Sequence, residues 1–350
     1  MNRNGIPLAC PIPKTDFDHV VMGHGGGGKQ SADLLRTVFL PMLGNEILSR
    51  LEDQATLRWP GGRLAFTTDS FVVRPIFFPG GDIGKLAVTG TVNDLAVGGA
   101  RPLFLSAAFI LEEGLSLRDL ERVVRSMRDA CLEADVTLVT GDTKVVDKGK
   151  GDQLFITTAG VGVVADGISL SVQSARPGDR ILLSGPIGDH GIAILSQREG
   201  IEFESTLESD AAPLTDLAQA ILRAAPGTRL MRDPTRGGLA ATLHEIAQAS
   251  RVGIRLSEAR VPIRPEVKGA CEMLGLDPLY VANEGKLVAV VPAAQADRAL
   301  LAARTESAGK NATLVGEIVE DESRMVILDS VVGSPRVVHL PAGTQLPRIC

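Results

Sequence analysis

Aromatic residues are scarce in this sequence of 350 residues: one Trp, one Tyr and 10 Phe, 3% in all. Any hydrophobic core must therefore be aliphatic, built from Val, Leu, Ile and Ala. Long apolar runs are missing as well. The longest stretch free of charge, Gln153 to Ala165, spans 13 residues, too short for a membrane-spanning helix. The opening residues, MNRNGIPLACPIPKTDFD, hold no continuous apolar region, so no signal peptide is expected. There is no excess of basic charge: a net charge of −6 argues against bulk attraction to nucleic acid or to an anionic membrane surface. The four cysteines, at 10, 131, 271 and 350, show neither CxxC nor zinc-ligand spacing. A reducing compartment, the cytoplasm, is expected, with no disulfide framework. Five histidines include no HxxxH or HExxH pair, which excludes the usual zinc hydrolases, and no GxSxG elbow appears.

What is present describes an ordered globular chain. Hydrophobic residues make up 44% and charged residues 22%, and the length suffices for two domains with their own cores. Ser31 to Asp53 is helical in period and interrupted at Pro41, which should kink or split it. LAFTT (64–68) reads as a strand running into Asp69. GKLAVTGTVNDLAVGGA (84–100) reads as a small-residue helix carrying Asp94, and PLFLSAAFIL as a buried strand. Ser116 should open a helix through a capping box with Asp119, followed by Leu120, Val123, Val124 and Met127 at helical spacing. Cys131 continues that spacing and Cys271 sits between Val267 and Leu274, so both read as buried structural thiols. VTLVTGDTKVV and LFITTAGVGVV are β-rich runs joined by the polar loop DKGKGD.

At Arg176-Pro177-Gly178-Asp179 the pattern resets, and a domain boundary is placed there. Helices are expected near 213–224, 238–250, 264–274 and 293–307, with strands near 252–256, 287–291 and 313–318. Strand–helix alternation in both halves indicates an α/β or α+β protein. No short fixed-period repeat argues for a solenoid. From Ser330 onward Pro335, Pro341 and Pro347 are spaced by six, a pattern that suits an extended arm. Fully stretched, such an arm spans up to roughly 70 Å. The organisation expected is residues 1–50 as leader, glycine-rich loop and first helices, 51–175 as an N-terminal domain, 176–329 as a C-terminal α/β domain, and 330–350 as a flexible arm ending in Cys350.

Several groups could carry chemistry. Gly23-His24-Gly25-Gly26-Gly27-Gly28-Lys29 resembles a phosphate loop, with backbone N–H groups for oxygens and a lysine for charge, but Gln30 stands where a Walker loop needs Ser or Thr. A glycine hinge and a phosphate-covering lid both remain open. Asp53, Asp69, Asp82, Asp94, Asp142 and Asp233 lie at element ends or in Gly-rich settings. Singly, each reads as a cap or turn residue; together they could hold Mg²⁺ against a polyphosphate. Lys144, in GDTK, follows an apolar strand and would ordinarily be a surface lysine. Asp233-Pro-Thr-Arg-Gly-Gly enters a helix whose free N–H groups favour an anion. Asn283-Glu284-Gly285-Lys286 precedes the strand LVAVV and would ordinarily be a turn.

Taken in order, DSFVVRPIFFPGGDIGKLAVTGTVNDLAVGGA, GDTKVV, RDPTRGGLAA, NEGKLV and the terminal Pro347-Arg348-Ile349-Cys350 resemble the HypE family of [NiFe]-hydrogenase maturation proteins. The resemblance covers about residues 20–350. It implies a two-domain fold of the aminoimidazole ribonucleotide synthetase-like type, dimerised through the N-terminal sheets, with ATP at a domain and subunit junction. It further implies that Cys350 receives a carbamoyl group from HypF. ATP then drives dehydration of that thiocarboxamide to a thiocyanate, and the cyano group passes to iron held by a HypC–HypD complex.

By motif matching, Asp53, Asp69, Asp94 and Asp233 would hold Mg²⁺ and phosphate, Gly26, Gly27, Gly28 and Lys29 would close over the phosphates, and Asp142 would contribute at the nucleotide. Lys144 and Glu284 would face the cysteine adduct and handle its protons. Two alternatives differ in class. A sister kinase or synthetase acting on a free metabolite, as in selenophosphate synthetase or thiamine-monophosphate kinase, would keep its ATP turnover after loss of Ile349 and Cys350. A binding module docking its terminal cysteine on a partner would hydrolyse no ATP.

Overall fold

The computed structural model describes residues 17–25, 29–50, 61–200, 207–340 and 348–349. Asp53, Gly26, Gly27, Gly28 and Cys350 lie outside the described residues, as does the side chain of Lys29.

The N-terminal part begins with helix α1 (Lys29–Leu34), which passes through the π-helical residues Leu35–Phe39 into α2 (Leu40–Leu43). Pro41 thus sits in the first turn of a new helix, where its missing N–H costs nothing. Strand β1 (Arg63–Phe71) is followed by the short β2 (Phe77–Phe78) and β3 (Gly81–Asp82), helix α3 (Ile83–Val97), β4 (Ala100–Glu112), α4 (Leu117–Glu133), β5 (Thr137–Val146) and β6 (Leu154–Val164). The strands form a four-stranded sheet in the order β1-β6-β4-β5. Although the loop 147–153 joins β5 to β6, these two do not pair. Strand β4 lies between them, parallel to β5 and antiparallel to β6.

The C-terminal part comprises β7 (Arg180–Leu183), α5 (Asp189–Glu199), α6 (Thr215–Ala224), β8 (Leu230–Arg232), α7 (Gly238–Ser250), β9 (Gly253–Ser257), α8 (Pro265–Leu274), β10 (Val288–Val291), α9 (Ala296–Thr305), β11 (Thr313–Val319), β12 (Val326–Asp329) and β13 (Pro335–Val338). Its seven strands run β13-β12-β9-β11-β7-β10-β8. Both faces are buried, and strand alternation divides the side chains between them. Ile181, Leu183, Val288 and Val290 pack with Leu239, Leu243 and Ile246 of α7, whereas Leu182, Ala289 and Val291 pack with Leu217 and Ile221 of α6.

Helix α3 ties the two parts together. Thirteen of its fifteen residues are buried, so it is apolar all round rather than amphipathic. One flank lies on the four-stranded sheet beside α4, and its end, Ala96 and Val97, enters the core shared with α6. Gly84 is required where α3 meets α4, since a Cβ there would stand 2.3 Å from the Val123 carbonyl oxygen. Asp82 caps this helix, accepting hydrogen bonds from the amides of Gly84 (2.8 Å) and Lys85 (3.1 Å). That role places Asp82 in the scaffold.

Two local expectations are corrected. Ser116 precedes α4 but makes no side-chain cap; its neighbour Leu117 instead donates its amide to the Asp18 carbonyl, because the chain before the glycine loop bridges to Ser116. The expected arm from Ser330 begins as sheet, not as a free tether: β13 pairs with β12, and Val338 is fully buried. Cys131 and Cys271 are buried free thiols, and burial pushes them up to about 12 and about 11. No helix among the described residues is long and apolar enough to cross a membrane.

Candidate active site

The site is assembled around α3, at the seam between the two sheets. Strand β1 alternates, so Ala65, Thr67, Asp69 and Phe71 face α3 while Leu64, Phe66, Thr68 and Ser70 face away. Asp69 stands opposite Thr158 of β6 on this helix-covered face and accepts a long hydrogen bond from Thr91 (3.4 Å). Asp94, one turn further along α3, accepts from the Thr67 hydroxyl at 2.8 Å. Asp233 arrives from the end of β8. Burial raises its carboxyl to about 7, with Asp94 and Asp69 adding to the rise. Asp69 is likewise raised, first by burial and then by Asp94, against the opposing pull of Arg236. Carboxylates from three elements therefore converge closely enough that Asp94 opposes the ionisation of Asp69 and of Asp233.

Glu284 completes this group. It is 3% exposed, and its Oε1 has no hydrogen-bond partner among the described residues. Burial raises its carboxyl well above the ordinary range, and Asp233, Asp210 and Asp69 raise it further. The turn carrying it is over-determined. Asn93 donates to the carbonyls of Glu284 (2.9 Å) and Ala212 (3.0 Å) and accepts from the Leu214 amide (2.8 Å). Asn283 accepts from the Gly188 amide (2.7 Å) and donates to the Pro234 carbonyl (2.8 Å), linking the turn to the Asp233 loop. Asp210 accepts from the Glu284 amide (3.1 Å) and pairs with Lys286 at 2.9 Å. Burial alone would raise Asp210, but Lys286, His190 and the Glu284 amide together outweigh it and hold the carboxyl below its usual range. A polar cavity of about 410 Å³ opens behind this pair, lined by Asp189, Asp210, Arg264, Lys286 and Lys310.

Lys144 and Asp142 lie elsewhere. On β5 they stand opposite Ile110 and Ala108 of β4, on the face of the sheet turned away from Asp69. They pair with each other at 2.7 Å and are exposed. Two intervening strands put β5 roughly 14 Å from β1, so the two groups do not meet within one chain. The open face that carries them also exposes Phe66 (68%), Leu64 (58%) and Ile110 (42%).

Among the described residues no three His, Cys, Asp or Glu side chains form a metal cage by themselves. The crowding of Asp69, Asp94 and Asp233 nonetheless fits a hard divalent cation that completes its shell with phosphate oxygens and water. In the glycine-rich segment, Met22–Gly25 is a 3₁₀ turn in which buried His24 accepts from the Val21 amide (3.2 Å). The sequence reading passed over Asn93, Asp210, His190 and Arg236. Of these only Arg236 lies in a motif singled out for its charge, while the others act through partners far along the chain.

The last two described residues also reach this region. Ile349 is 3% exposed, packed in the core with Ile194, Ala211 and Ala282. Ile349 therefore lies in the seam that holds Glu284.

Family models for AIR synthase related protein match in two pieces, the N-terminal domain over residues 51–164 and the C-terminal domain over 176–329. The carbamoyl dehydratase HypE of Cupriavidus necator is 55% identical over 330 residues, 94% of each chain. This chain belongs to the HypE family. A crystal structure of the hydrogenase maturation protein HypE in complex with ATP superposes with a TM-score of 0.91 at 46% identity, covering 94% of this chain and 99% of that one. The HypE chain of a HypE–HypF complex is similar with a TM-score of 0.78 at 46% identity, over 90% of this chain and all of that one. The two-domain aminoimidazole ribonucleotide synthetase-like architecture expected from the motifs is thus the architecture of this HypE family member.

Proposed function

We propose that this chain is an ATP-dependent carbamoyl dehydratase of hydrogenase maturation whose substrate is the S-carboxamide carried by its own Cys350. The observation that carries the reading is the coincidence, at one seam, of a buried unpartnered carboxylate, Glu284, and the docked end of the chain, Ile349. A kinase for a diffusing metabolite would have no use for burying its own terminus beside that carboxylate.

In this reading the γ-phosphoryl group of ATP is transferred to the amide oxygen, giving an iminophosphate and ADP. The nitrogen gives up its protons, the C–O bond breaks with phosphate as leaving group, and the C≡N bond of the thiocyanate forms. Without phosphorylation the leaving group would be hydroxide, which is prohibitive near neutral pH. Glu284 takes a nitrogen proton on Oε1, the oxygen with no partner among the described residues. Its raised basicity suits that task, and Asp210 and Asn93 hold the backbone on either side. Asp69, Asp94 and Asp233, with Asp53, would hold Mg²⁺, which supplies charge neutralisation at the phosphates. Gly26, Gly27, Gly28 and Lys29 would cover the phosphates.

Lys144 enters the site from a second copy. The open apolar face of the four-stranded sheet, with Leu64, Phe66 and Ile110 exposed, is the surface through which two copies pair, and Lys144 and Asp142 stand on it. HypF is the carbamoyl donor and a HypC–HypD complex the cyanide acceptor, in the cytoplasm. Mass spectrometry of the C-terminal peptide tests the reading. Carbamoylated protein given Mg²⁺ and ATP should lose one water from Cys350, and protein given a non-hydrolysable analogue should lose none. Loss of water without nucleotide hydrolysis would overturn it.

A further inference from the structure

The final residues are held by a clasp built from both domains. The Arg348 side chain pairs with Asp152 of the loop before β6, and its carbonyl accepts from the Arg74 amide (3.1 Å) and from the Arg198 guanidinium (2.8 Å). Arg198 also donates to the Arg74 carbonyl at 2.8 Å, so one guanidinium joins the two segments. Arg348 adopts a left-handed φ of 56°, a conformation that a non-glycine residue keeps only where its surroundings impose it.

One residue later the Ile349 carbonyl lies 2.9 Å from Nε2 of His190, and the ring's Nδ1 lies 2.8 Å from the Ser209 hydroxyl. A carbonyl oxygen only accepts, so Nε2 carries the proton and Nδ1 accepts from Ser209. Ser209 in turn receives the Ala211 amide at 3.2 Å, and the Phe78 ring stands edge-on to the imidazole at 5.6 Å. His190 is completely buried. The nearest charged groups packed against it are Asp210, on the segment that carries Ser209, and through it Lys286. Ser209 and Asp210 are consecutive: the first orients the histidine that holds the tail, the second holds the amide of Glu284.

We propose that His190, oriented by Ser209, is a positioning residue that receives the last peptide carbonyl of the chain and commits the tail to the inward position facing Glu284. A histidine serving only the core would bond to a permanent neighbour. This one reserves its single donor for a carbonyl that must leave whenever Cys350 visits another protein. The clasp reads backbone carbonyls, one arginine and one aliphatic side chain, so it binds the tail as a peptide and is indifferent to the group carried by the terminal sulfur.

The dehydration arm of the test rests on the proposed function; the accessibility arm does not. In full-length His190→Ala, alkylation of Cys350 by iodoacetamide, read on the C-terminal peptide, should accelerate about tenfold, and ATP-dependent water loss should slow about tenfold or more, from loss of the hydrogen bond to the buried Ile349 carbonyl. Nucleotide affinity should stay at the wild-type value. His190→Gln, which places an amide donor where Nε2 stood, should recover most of both effects. Should the alanine variant not fold, Ser209→Ala gives the same comparison with smaller changes. Unchanged alkylation in both variants would overturn the proposal, as would a glutamine variant no better than alanine. If the wild-type protein loses no water, the proposed function fails while the alkylation comparison still decides the role of His190.

Discussion

Glu284 owes its chemical character to burial and to its company, not to its residue type. An exposed glutamate is a weak base, whereas here desolvation and three nearby aspartates hold the proton far more tightly. Glu284→Gln keeps the shape of the turn and removes the proposed base, so ATP-dependent water loss should fall by roughly 10²–10⁴-fold, while nucleotide binding persists; mass spectrometry over a time course checks this. Asp189 illustrates the same physics outside the chemistry. It is 1% exposed, and burial, with Asp210 adding, raises it to about 6 despite its ion pair with Arg264. Because the folded value lies above the unfolded one, the folded state binds the extra proton, and stability is lost as pH rises from about 4 through about 6. That loss amounts to at most about 3 kcal/mol. Asp189→Asn should therefore flatten the pH dependence of thermal unfolding and raise the melting temperature at pH 8 relative to wild type.

At the scale of elements, the turn Asn283–Lys286 is where the two domains are locked in register. Gly285 must be glycine because a Cβ would stand 1.8 Å from the Asp210 carbonyl oxygen. Asn93, projecting from α3 beside Asp94, satisfies two carbonyls and one amide of the C-terminal domain. Asn93→Ala should leave them unpaired and cost about 3 kcal/mol, seen as a lower denaturant midpoint. The helices and strands themselves were legible in the sequence. Periodicity placed α3, α4, α6, α7 and the longer strands, because each commits one or both faces to a core. Strand β8, helix α5 and the pair β12–β13 were not placed, being short or, in α5, polar along much of their length while buried. The capping box at Ser116 matched its template, yet the serine makes no cap; the backbone before the helix is held instead by the Leu117 amide on the Asp18 carbonyl.

On the scale of the whole molecule, the open sheet face is the surface on which the proposed pairing of two copies rests. Phe66 and Leu64 are more than half exposed on a single patch, which a second copy would cover. Phe66→Glu should shift the protein to a monomer in sedimentation velocity and abolish water loss together with it. Complementation distinguishes where Lys144 acts. Mixed dimers of Lys144→Ala with Glu284→Gln chains should recover up to about a quarter of wild-type activity if Lys144 serves the partner's site, since half the dimers are mixed and each then holds one intact site. A lysine serving its own chain would give none.

The motifs that carry the chemistry, their order along the chain and the family they mark were determined by the sequence alone, since each is a local string of residues. So was the expectation that Asp69, Asp94 and Asp233 act together. Only the tertiary structure decided that Lys144 and Asp142 face away from them, because that depends on β6 inserting between β1 and β4. It alone decided that one oxygen of Glu284 has no partner among the described residues, that Asp210 lies against its amide, and that His190 holds the Ile349 carbonyl. Burial and pairing depend on which distant residues share a space, and no spacing along the chain records that.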